Sequence, residues 1–404
     1  MRVCYLSADR GISLRKHNGA SAHFRSIVRA FTTVGAEVVA VTPSEDGEDS
    51  LGVEMVRVPT PQVTEWLLSR TDGSNGVTGP AKRRRSRVAH ALGHIWNNAM
   101  VERVLGEFLP RYQPDLLFEI YSPFGIAGGV VARRLGIRHI LNAHAPLARE
   151  GAEYRQQALQ EAAAALEHAA FDAAQMVVTN SKELRDELAA AGVPPTKMEV
   201  IPNGVDVDLF APEGPTYRDG LKGKFVVGFV ASLRFWHGVG MLLEAFRELA
   251  ADPRFHLLVV GDGPLARDLH KLADELPGRI THVGAIPLTE VPAYVRAMDV
   301  AVAPYPPIEG FYFSPLKVLE YMAAARPVVG SRIGQISELV HEGETGLLVP
   351  PGDSAGLAAA IRRLAGDEGL RRRLGTTAAA TARREHTWAQ RAGRILELAE
   401  ALPS

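Results

Sequence analysis

Short, nearly continuous apolar runs alternate with longer segments of helical periodicity along almost the whole chain. Such runs are typical of parallel strands that are covered on both faces, and their alternation with helices predicts βαβ units. They predict an α/β fold with two parallel sheets of about six strands each. The predicted strands are Val3–Ser7, Glu37–Thr42, Glu54–Val58, Leu116–Ile120, His139–Asn142, Met176–Thr179, Met198–Ile201, Phe225–Val230, His256–Val260, Ile280–Val283, Val300–Pro304, Pro327–Gly330 and Gly346–Val349.

The segments between these runs carry apolar residues at every third or fourth position, which predicts helices that pack on the sheets. Residues 202–223 are rich in Gly, Pro and Asp and lack periodicity, so we expect a boundary between two domains there. The predicted helices are Ala22–Val34, Ile95–Leu109, Gly128–Leu135, Glu153–Phe171, Lys182–Ala191, Gly240–Leu249, Ala266–Glu275, Pro292–Met298, Pro315–Ala325, Ser354–Ala365 and Trp388–Leu402.

Charge and cysteine content exclude several classes of protein. Lys plus Arg number 45 and Asp plus Glu 46, and this balance is unlike that of a nucleic-acid binder, so no nucleic-acid partner is expected. The single cysteine, Cys4, excludes an internal disulfide and a cysteine-rich metal site. No apolar run approaches the ~18 residues of a transmembrane helix, and the N-terminus lacks the layout of a signal peptide. We therefore expect a soluble, cytoplasmic protein.

One polar stretch in the first half stands apart from this pattern. Residues 70–80 are rich in Gly, Ser, Asn and Asp and predict a mobile loop, and the basic run Lys82–Arg87 follows it. The basic run has two interpretations: a contact with an anionic acceptor or a membrane surface, or the solvated start of a helix. We favour the helix start over a peripheral membrane contact.

In open parallel sheets, ligands bind beyond the carboxyl ends of the strands, so the loops that follow strands are the places where a site is expected. Small residues around Gly19 and Ala20 precede a helix and allow a phosphate to approach the backbone. This loop lacks a GxGxxG pattern, which counts against a nicotinamide or flavin enzyme. His144 follows the fifth strand, where it either contacts a substrate or is a packed histidine. Gly261 lies in a tight turn between a strand and a helix.

The segment Glu309–Ala323 concentrates most of the candidate chemistry. Ser314 is a favourable N-cap and Pro315 a favourable first helical residue, so we expect a helix to begin there. Free N–H groups at this helix start, together with Lys317, form an expected site for a diphosphate. Glu320 lies farther along the helix, where its carboxylate can accept hydrogen bonds from two ribose hydroxyls. The alternative interpretation is a capped helix with one salt-bridging glutamate.

Motifs for metal and nucleophilic chemistry are absent or poorly placed. Asp206 and Asp208 have the DxD spacing of metal-dependent sugar transferases, but they follow an Asn-Gly turn in which Asp bonds to the local backbone. The sequence has no HExxH, paired CxxC, GxSxG or Walker A motif. We therefore expect neither a metal nor a cofactor.

Six of these elements, taken together and in order, resemble retaining glycosyltransferases of family 4, which have the GT-B fold of two Rossmann-like domains facing across a cleft. The resemblance covers nearly the whole chain, and the wording of Phe311–Lys317 is similar to a recurring subgroup. The matching elements are a small-residue phosphate loop, an active-site histidine, a domain-junction signature and three segments of the second half: Asn18-Gly19-Ala20, His144, Val200–Asp206, Val259–Pro264, Gly334–Glu338 and Gly346–Asp353.

Two departures from the family pattern affect the expected donor site. Where the family carries an arginine and a lysine for the diphosphate, this chain has Ser232 and His237. Arg234 is the expected source of the displaced positive charge, helped by His237 and Lys317. The second departure is at position 312, where a tyrosine replaces the first of the family's paired glutamates, whose second member is Glu320.

Two interpretations of position 312 stay open. Either Tyr312 lies where the sugar-hydroxyl contact is usually made, or Glu309 reaches in through a short insertion. In both cases the departure bears on sugar specificity rather than on the presence of an active enzyme.

The resemblance implies a metal-independent hexosyltransferase. It would move a sugar from a nucleotide-diphosphate sugar to the hydroxyl of a saccharide, a lipid-linked or a small-molecule acceptor, with retention through a short-lived ion pair on one face. The implied catalytic residues are His144, Arg234 and Lys317. The implied donor-binding residues are Gly19, Ala20, Ser232, His237, Gly261, Tyr312, Phe313, Ser314, Leu316 and Glu320.

The resemblance also implies how the domains are divided. Residues 1–204 are expected to bind the acceptor, residues 205–385 to bind the nucleotide sugar, and residues 386–404 to form a helix that packs back on the first domain. Two other functions stay open at this point. One is another GT-B activity, such as a phosphorylase or a sugar-nucleotide epimerase, and the other is nucleotide binding without transfer, which Ser232 and Tyr312 allow.

Overall fold

The computed structural model describes residues 1–9, 11–12, 19–43, 51–60, 80–153, 156–217 and 219–403, and only the backbone at Ala20 and at residues 80–86. Every predicted strand is present in this part of the chain, with each end within one residue of its prediction. The strands are Arg2–Ser7 (β1), Glu37–Thr42 (β2), Glu54–Arg57 (β3), Leu116–Ile120 (β4), Arg138–Ala143 (β5), Met176–Thr179 (β6), Met198–Val200 (β7), Phe225–Val230 (β8), Phe255–Val260 (β9), Ile280–Gly284 (β10), Val300–Ala303 (β11), Val328–Ser331 (β12) and Gly346–Val349 (β13).

The described strands form one sheet of seven and one of six, and the prediction of two parallel sheets is confirmed. The strand order is β3-β2-β1-β4-β5-β6-β7 in the first sheet and β10-β9-β8-β11-β12-β13 in the second. All the pairings are parallel. The order reverses between β1 and β4 and between β8 and β11, and ligands of such sheets bind beyond the carboxyl ends at these points.

Both faces of the second sheet are covered, which explains the continuous apolar runs. Leu257 and Leu258 are consecutive residues of β9, and each belongs to a different buried cluster. Because successive side chains of a strand point to opposite faces, a sheet that is buried on both sides needs apolar residues at every position. The strands of such a sheet therefore read as runs rather than as alternating patterns.

Helices surround the sheets, and their ends follow the predictions less closely. Of the described helices, none has the length and apolar character that crossing a membrane requires. The helices are Gly19–Thr33, Pro80–Tyr112, Ala127–Leu135, Leu147–Glu153, Gln160–Ala173, Lys182–Ala190, Val239–Leu249, Ala266–Glu275, Val291–Arg296, Leu316–Ala323, Ile336–Leu339, Ser354–Gly366, Glu368–Glu385 and Trp388–Ala401.

Two helix predictions in the first half are wrong. The helix predicted over Glu153–Phe171 begins instead at Gln160, directly after Leu159, whose backbone is left-handed with φ of 58°, and Glu153 is the last residue of the preceding helix Leu147–Glu153. The helix predicted from Ile95 instead begins at Pro80, so the basic run Lys82–Arg87 lies in its first turns. The loop predicted at residues 70–79 lies outside the described residues.

The described residues divide into two compact units. Of the described residues, the first unit contains those of 1–16 and 23–202 together with the chain end from Arg391, and the second contains Asn203–Gln390 together with residues 19–22. Within the first unit, the Arg138 guanidinium Nε donates to the carbonyl oxygen of Leu402 at 3.1 Å. Arg394 pairs with Glu199 at 3.0 Å. These contacts attach the end of the chain to the first sheet.

Candidate functional site

A buried ammonium group that has no hydrogen-bond partner among the described residues lies at the carboxyl edge of the second sheet. Lys317, in the first turn of helix Leu316–Ala323, is 9% exposed. Its Nζ finds no hydrogen-bond partner among the described residues. It lies 4.8 Å from the ring centroid of Phe229 and 5.2 Å from that of Tyr305. The rings supply a weak cation–π attraction, but neither neutralises the charge.

Burial also sets the ionisation of this lysine and of the glutamate that follows it. Burial lowers the pKa of Lys317 to about 7, although the carboxyl of Glu320 opposes the shift. Burial raises the pKa of Glu320 to about 7, and here Lys317 opposes the shift. A buried cation without a hydrogen-bonded partner is unfavourable. An anionic ligand beside Lys317 would therefore supply the hydrogen-bonded negative charge that the described part of the chain does not.

The loop after β8 adds a histidine whose ring orientation is set by the backbone. His237 Nδ1 lies 2.7 Å from the carbonyl oxygen of Ser232, so Nδ1 carries the proton and donates it. Burial, then the charge of Lys317, lower the pKa of His237 to about 3. His237 is thus neutral near pH 7, and the expectation that it adds positive charge is wrong for the free protein.

The same loop carries an exposed arginine. The Arg234 guanidinium lies 5.1 Å from the ring centroid of Trp236, at a distance suited to a cation–π contact. The ring of His237 lies edge-on to that of Tyr305, with centroids 5.9 Å apart. Tyr305 thus contacts both His237 and Lys317, a role that the sequence did not indicate. The position of Tyr305 just beyond the end of β11 could have identified it as a site residue, because ligands bind at such strand ends.

Two glycines allow the loops at this edge to approach one another. Gly238 has φ of 75°, and a Cβ there would lie 1.5 Å from the carbonyl oxygen of Pro304. Gly261 has φ of 116°, and a Cβ there would lie 1.9 Å from the carbonyl oxygen of Ala231. His282 Nε2 donates to the carbonyl oxygen of Gly261 at 2.8 Å. The loops that follow β8, β9 and β11 are therefore in close contact.

The predicted cap of helix Leu316–Ala323 is wrong. Pro315 occupies the N-cap position with ψ of 94°, and no side chain caps the helix. Ser314 Oγ instead donates to Gln335 Oε1 at 2.6 Å and accepts from the backbone N–H of Asn203 at 3.3 Å. Asn203 Nδ2 also donates to the carbonyl oxygen of Ser314 at 3.1 Å. Ser314 thus joins distant segments of the second unit, and the helix begins at Leu316.

Aromatic side chains pack against one another in the segment before this helix, at residues 311–313. Tyr312 is buried, and its ring centroid lies 4.7 Å from that of Phe313. Phe311 lies edge-on to Phe313 with centroids 5.2 Å apart. Glu309 is exposed. Ring packing among Phe311, Tyr312 and Phe313 therefore helps to hold this segment in place.

Two histidines meet at the carboxyl edge of the first sheet. His144 follows β5, and its ring centroid lies 4.1 Å from that of His23, with the rings perpendicular. His144 Nε2 is buried and finds no partner among the described residues. Burial lowers the pKa of His144 to about 4 and that of His23 well below its usual range. Both rings are neutral near pH 7, so His144 offers hydrogen bonding rather than charge.

The sequence patterns did not single out His23 as a site residue, although its helical spacing from Gly19 could have done so. It follows Gly19 by four residues in helix Gly19–Thr33, and residues four apart share one face of a helix. Gly19 itself is exposed, and a Cβ there would meet nothing within 4 Å. The side chain of Ala20 and residues 13–18 of the same loop lie outside the described part of the chain.

Asp206 serves the local backbone, and this prediction is confirmed. Its Oδ1 accepts from the N–H groups of Asp208 at 3.2 Å and of Leu209 at 2.9 Å. Among the described residues, no group of three or more His, Cys, Asp or Glu side chains is arranged to hold a metal ion.

Two family models match the chain. The model described as Glycosyltransferase Family 4 matches residues 17–209, and the model described as Glycosyl transferases group 1 matches residues 224–367. The two matches fall on the two halves of the chain and together cover most of it.

Curated relatives match much of this length. The chain is 28% identical to the D-inositol 3-phosphate glycosyltransferase of Pseudarthrobacter chlorophenolicus over 94% of this chain and 89% of that protein. It is 31% identical to the GDP-mannose-dependent alpha-(1-6)-phosphatidylinositol monomannoside mannosyltransferase of Mycolicibacterium smegmatis, over 67% of this chain and 72% of that protein. It is 29% identical to the 2-deoxystreptamine glucosyltransferase of Streptomyces kanamyceticus, over 74% of this chain and 81% of that protein.

Solved structures of low sequence identity have the same fold. The sucrose-phosphate synthase of Thermosynechococcus elongatus superposes with a TM-score of 0.72 at 21% identity, over 99% of this chain and 98% of that one. HepE of Anabaena, in complex with UDP-glucose, superposes with a TM-score of 0.71 at 19% identity, over the whole of both chains.

Proposed function

The chain belongs to glycosyltransferase family 4 and is an enzyme with the GT-B fold, and we propose that it transfers a sugar from a nucleoside diphosphate sugar to a hydroxyl group with retention and without a metal. The observation that carries this proposal is the buried ammonium of Lys317, which has no hydrogen-bond partner among the described residues. A departing diphosphate is an anion that this group can stabilise.

The proposed reaction needs little covalent participation by the protein. The anomeric C–O bond of the donor breaks, and its electron pair passes to the diphosphate oxygen. The acceptor hydroxyl attacks the anomeric carbon on the same face and gives its proton to that oxygen. Lys317, Arg234 and the N–H groups at the start of helix Leu316–Ala323 stabilise the charge that develops on the leaving group.

Other side chains bind and orient the donor in this proposal. The carboxylate of Glu320 accepts hydrogen bonds from the ribose hydroxyls, and His144 contacts the sugar. The backbone around Gly261 and Phe313 lies close to the nucleotide. Tyr312 or Glu309 makes the sugar contact that a glutamate makes elsewhere in the family.

The proposal assigns residues 205–385 to the donor and residues 1–204 to the acceptor. Relatives act on inositol 3-phosphate and on 2-deoxystreptamine, according to their names. We therefore propose a hydroxyl of a small cyclitol or of a sugar as the acceptor, and these two compounds are the first to test.

Thermal stability with UDP, GDP, ADP and dTDP, with and without EDTA, tests the donor. A ligand present at 100 times its dissociation constant stabilises the folded protein by about 2.7 kcal/mol, which raises Tm by several degrees. We expect one diphosphate to raise Tm and EDTA to leave that rise unchanged. A rise that EDTA abolishes would contradict metal independence, and no rise with any nucleotide would contradict a nucleotide-sugar donor.

Replacing His144 with alanine separates transfer from nucleotide binding. We expect His144→Ala to lower kcat by about a hundredfold while the dissociation constant of the nucleoside diphosphate changes less than twofold. His168→Ala, at an exposed position of helix Gln160–Ala173 in the same unit, is the matched control and should keep full activity.

The same assay separates the alternative functions. A protein that binds nucleotide without transfer would consume no donor with any acceptor. A phosphorylase would require inorganic phosphate and no nucleotide, and an epimerase would convert the sugar nucleotide without an acceptor. Unchanged turnover in His144→Ala would remove His144 from the proposed machinery.

A further inference from the structure

A cavity of about 620 Å³ opens at the edge of the second sheet opposite to Lys317. It lies at the amino ends of β8, β11 and β12, because its lining residues immediately precede those strands. Strands of this sheet are parallel, so their amino ends share one edge and their carboxyl ends the other. The charged residues that line the cavity are Lys222, Lys224, Arg296, Asp299 and Arg326.

The lining carries four positive charges and one negative charge. The single carboxylate is already engaged, since Asp299 Oδ2 accepts from the backbone N–H of Val226 at 2.8 Å. Lys222, Lys224 and Arg296 form no ion pair with any carboxylate of the described residues. These three side chains therefore bring positive charge to the cavity that no carboxylate of the described residues pairs with.

Both arginines are held in place by backbone carbonyls. Arg296 donates from Nε to the carbonyl oxygen of Pro215 at 2.8 Å and from Nη1 to that of Ala211 at 3.0 Å. Arg326 donates from Nη1 to the carbonyl oxygen of Met298 at 3.0 Å. The carbonyl oxygens that accept from Arg296 do not neutralise its charge. Guanidinium groups fixed in this way lose little conformational entropy when an anion binds.

The lysines contribute mobile charge to the same cavity. Among the described residues, Lys224 Nζ donates to the carbonyl oxygen of Pro253 at 3.2 Å, and Lys222 is exposed. Flexible ammonium groups can adjust to the oxygens of a ligand that rigid guanidinium groups hold. The arrangement thus combines two fixed and two adjustable cations.

We propose that this cavity is a second anion-binding site, for a small molecule that carries at least two phosphate groups. Lys222, Lys224 and Arg296 supply three positive charges, which is close to the charge of two phosphates, each of about −1.5 to −2 near neutral pH. The volume falls within the range of about 300–1,000 Å³ that is usual for sites of small molecules. This site goes beyond the proposed transfer reaction, because none of the residues that line it is among those named above as contacting the donor sugar or its diphosphate.

Calorimetric titration with inorganic pyrophosphate tests the proposal at physiological salt. The titration uses Lys317→Met, a variant in which the proposed donor site is weakened, so that the remaining binding reports the second site. We expect one pyrophosphate per chain to bind to this variant. Adding Lys222→Gln and Lys224→Gln should weaken that binding by about a hundredfold, since each lost charge-assisted contact accounts for about tenfold.

Lys271→Gln, at an exposed position of helix Ala266–Glu275 in the same unit, is the matched control in the same background and should bind pyrophosphate normally. Lys222→Glu alone is a second variant at an exposed position, where a fold defect is not expected, and it should weaken binding more than tenfold. Absence of pyrophosphate binding to Lys317→Met would overturn the proposal. It would also be overturned if the variants at Lys222 and Lys224 bound pyrophosphate as tightly as Lys317→Met does. Neither outcome depends on whether the nucleotides raise Tm, so failure of this proposal is distinguishable from failure of the proposed transfer reaction.

Discussion

Lys317→Met should lower kcat/KM for sugar transfer by about two to three orders of magnitude and leave the free protein at least as stable as the wild type. The loss of activity follows because a positive group near the leaving diphosphate is removed. The stability follows because methionine has nearly the length of lysine and packs well against the rings of Phe229 and Tyr305. The variant also removes a buried charge without a hydrogen-bonded partner among the described residues.

The pH dependence of nucleotide affinity gives this prediction a second readout. Burial lowers the pKa of Lys317 to about 7, so in the free protein the amine is charged at pH 6 and mostly neutral at pH 9. Binding of a diphosphate at pH 9 then requires uptake of a proton. Affinity in the wild type should therefore weaken from pH 6 to pH 9, and this dependence should be smaller in Lys317→Met.

Steady-state kinetics measures the loss of activity, nucleotide titration at several pH values measures the pH dependence of affinity, and thermal unfolding measures the stability. Lys271→Met, at an exposed lysine of the same unit, is the control and should match the wild type in all of them. If Lys317→Met instead unfolds at a much lower temperature with nucleotide affinity intact, Lys317 has a structural role and the proposed function loses its main support.

Gly238→Ala should destabilise the second unit by about 3 kcal/mol or more. The backbone of Gly238 has φ of 75°, which is unfavourable for alanine, and the new Cβ would lie 1.5 Å from the carbonyl oxygen of Pro304. That oxygen belongs to the backbone after β11 and moves only if the strand end moves. The loop that carries Ser232, Arg234 and His237 would be displaced with it, so nucleotide affinity should fall as well.

Thermal unfolding tests this prediction, with Gly240→Ala as the control two residues away. At about 2–4 °C for each kcal/mol in a unit of this size, Tm of Gly238→Ala should fall by about 6–12 °C. A Cβ at Gly240 meets nothing within 4 Å, and alanine favours the helix, so Tm of Gly240→Ala should stay level or rise slightly. Equal Tm values for the two variants would show that the loop tolerates a side chain at Gly238.

The strands were predictable because their physical requirement is local. A strand that is buried on both faces needs consecutive apolar residues, and a run such as Phe225–Val230 fits this position in a sheet. Helix ends were less predictable because a cap competes with tertiary partners. Ser314 bonds to Gln335 and Asn203, which lie 21 and 111 positions away, so no local rule favours that outcome over capping.

The candidate residues were named from the sequence, but their electrostatic states were not. The order of the loops and the resemblance to a family identified Lys317, Glu320 and His237. Whether each is charged depends on how much water the fold removes from it and on which groups lie nearby. Burial and Lys317 make His237 neutral, and this reversed the sequence-based expectation of a cation.

The sequence by itself thus determined the α/β class, the two parallel sheets and the membership of a glycosyltransferase family, since these depend on apolar patterning and on motifs that stay close together along the chain. Only the tertiary structure decided that Lys317 is buried without a partner among the described residues, that His23 meets His144, and that four cations share one cavity at the opposite edge of the second sheet. Each of these depends on residues that are far apart in sequence, and the free energy of a charge depends on its surroundings in three dimensions.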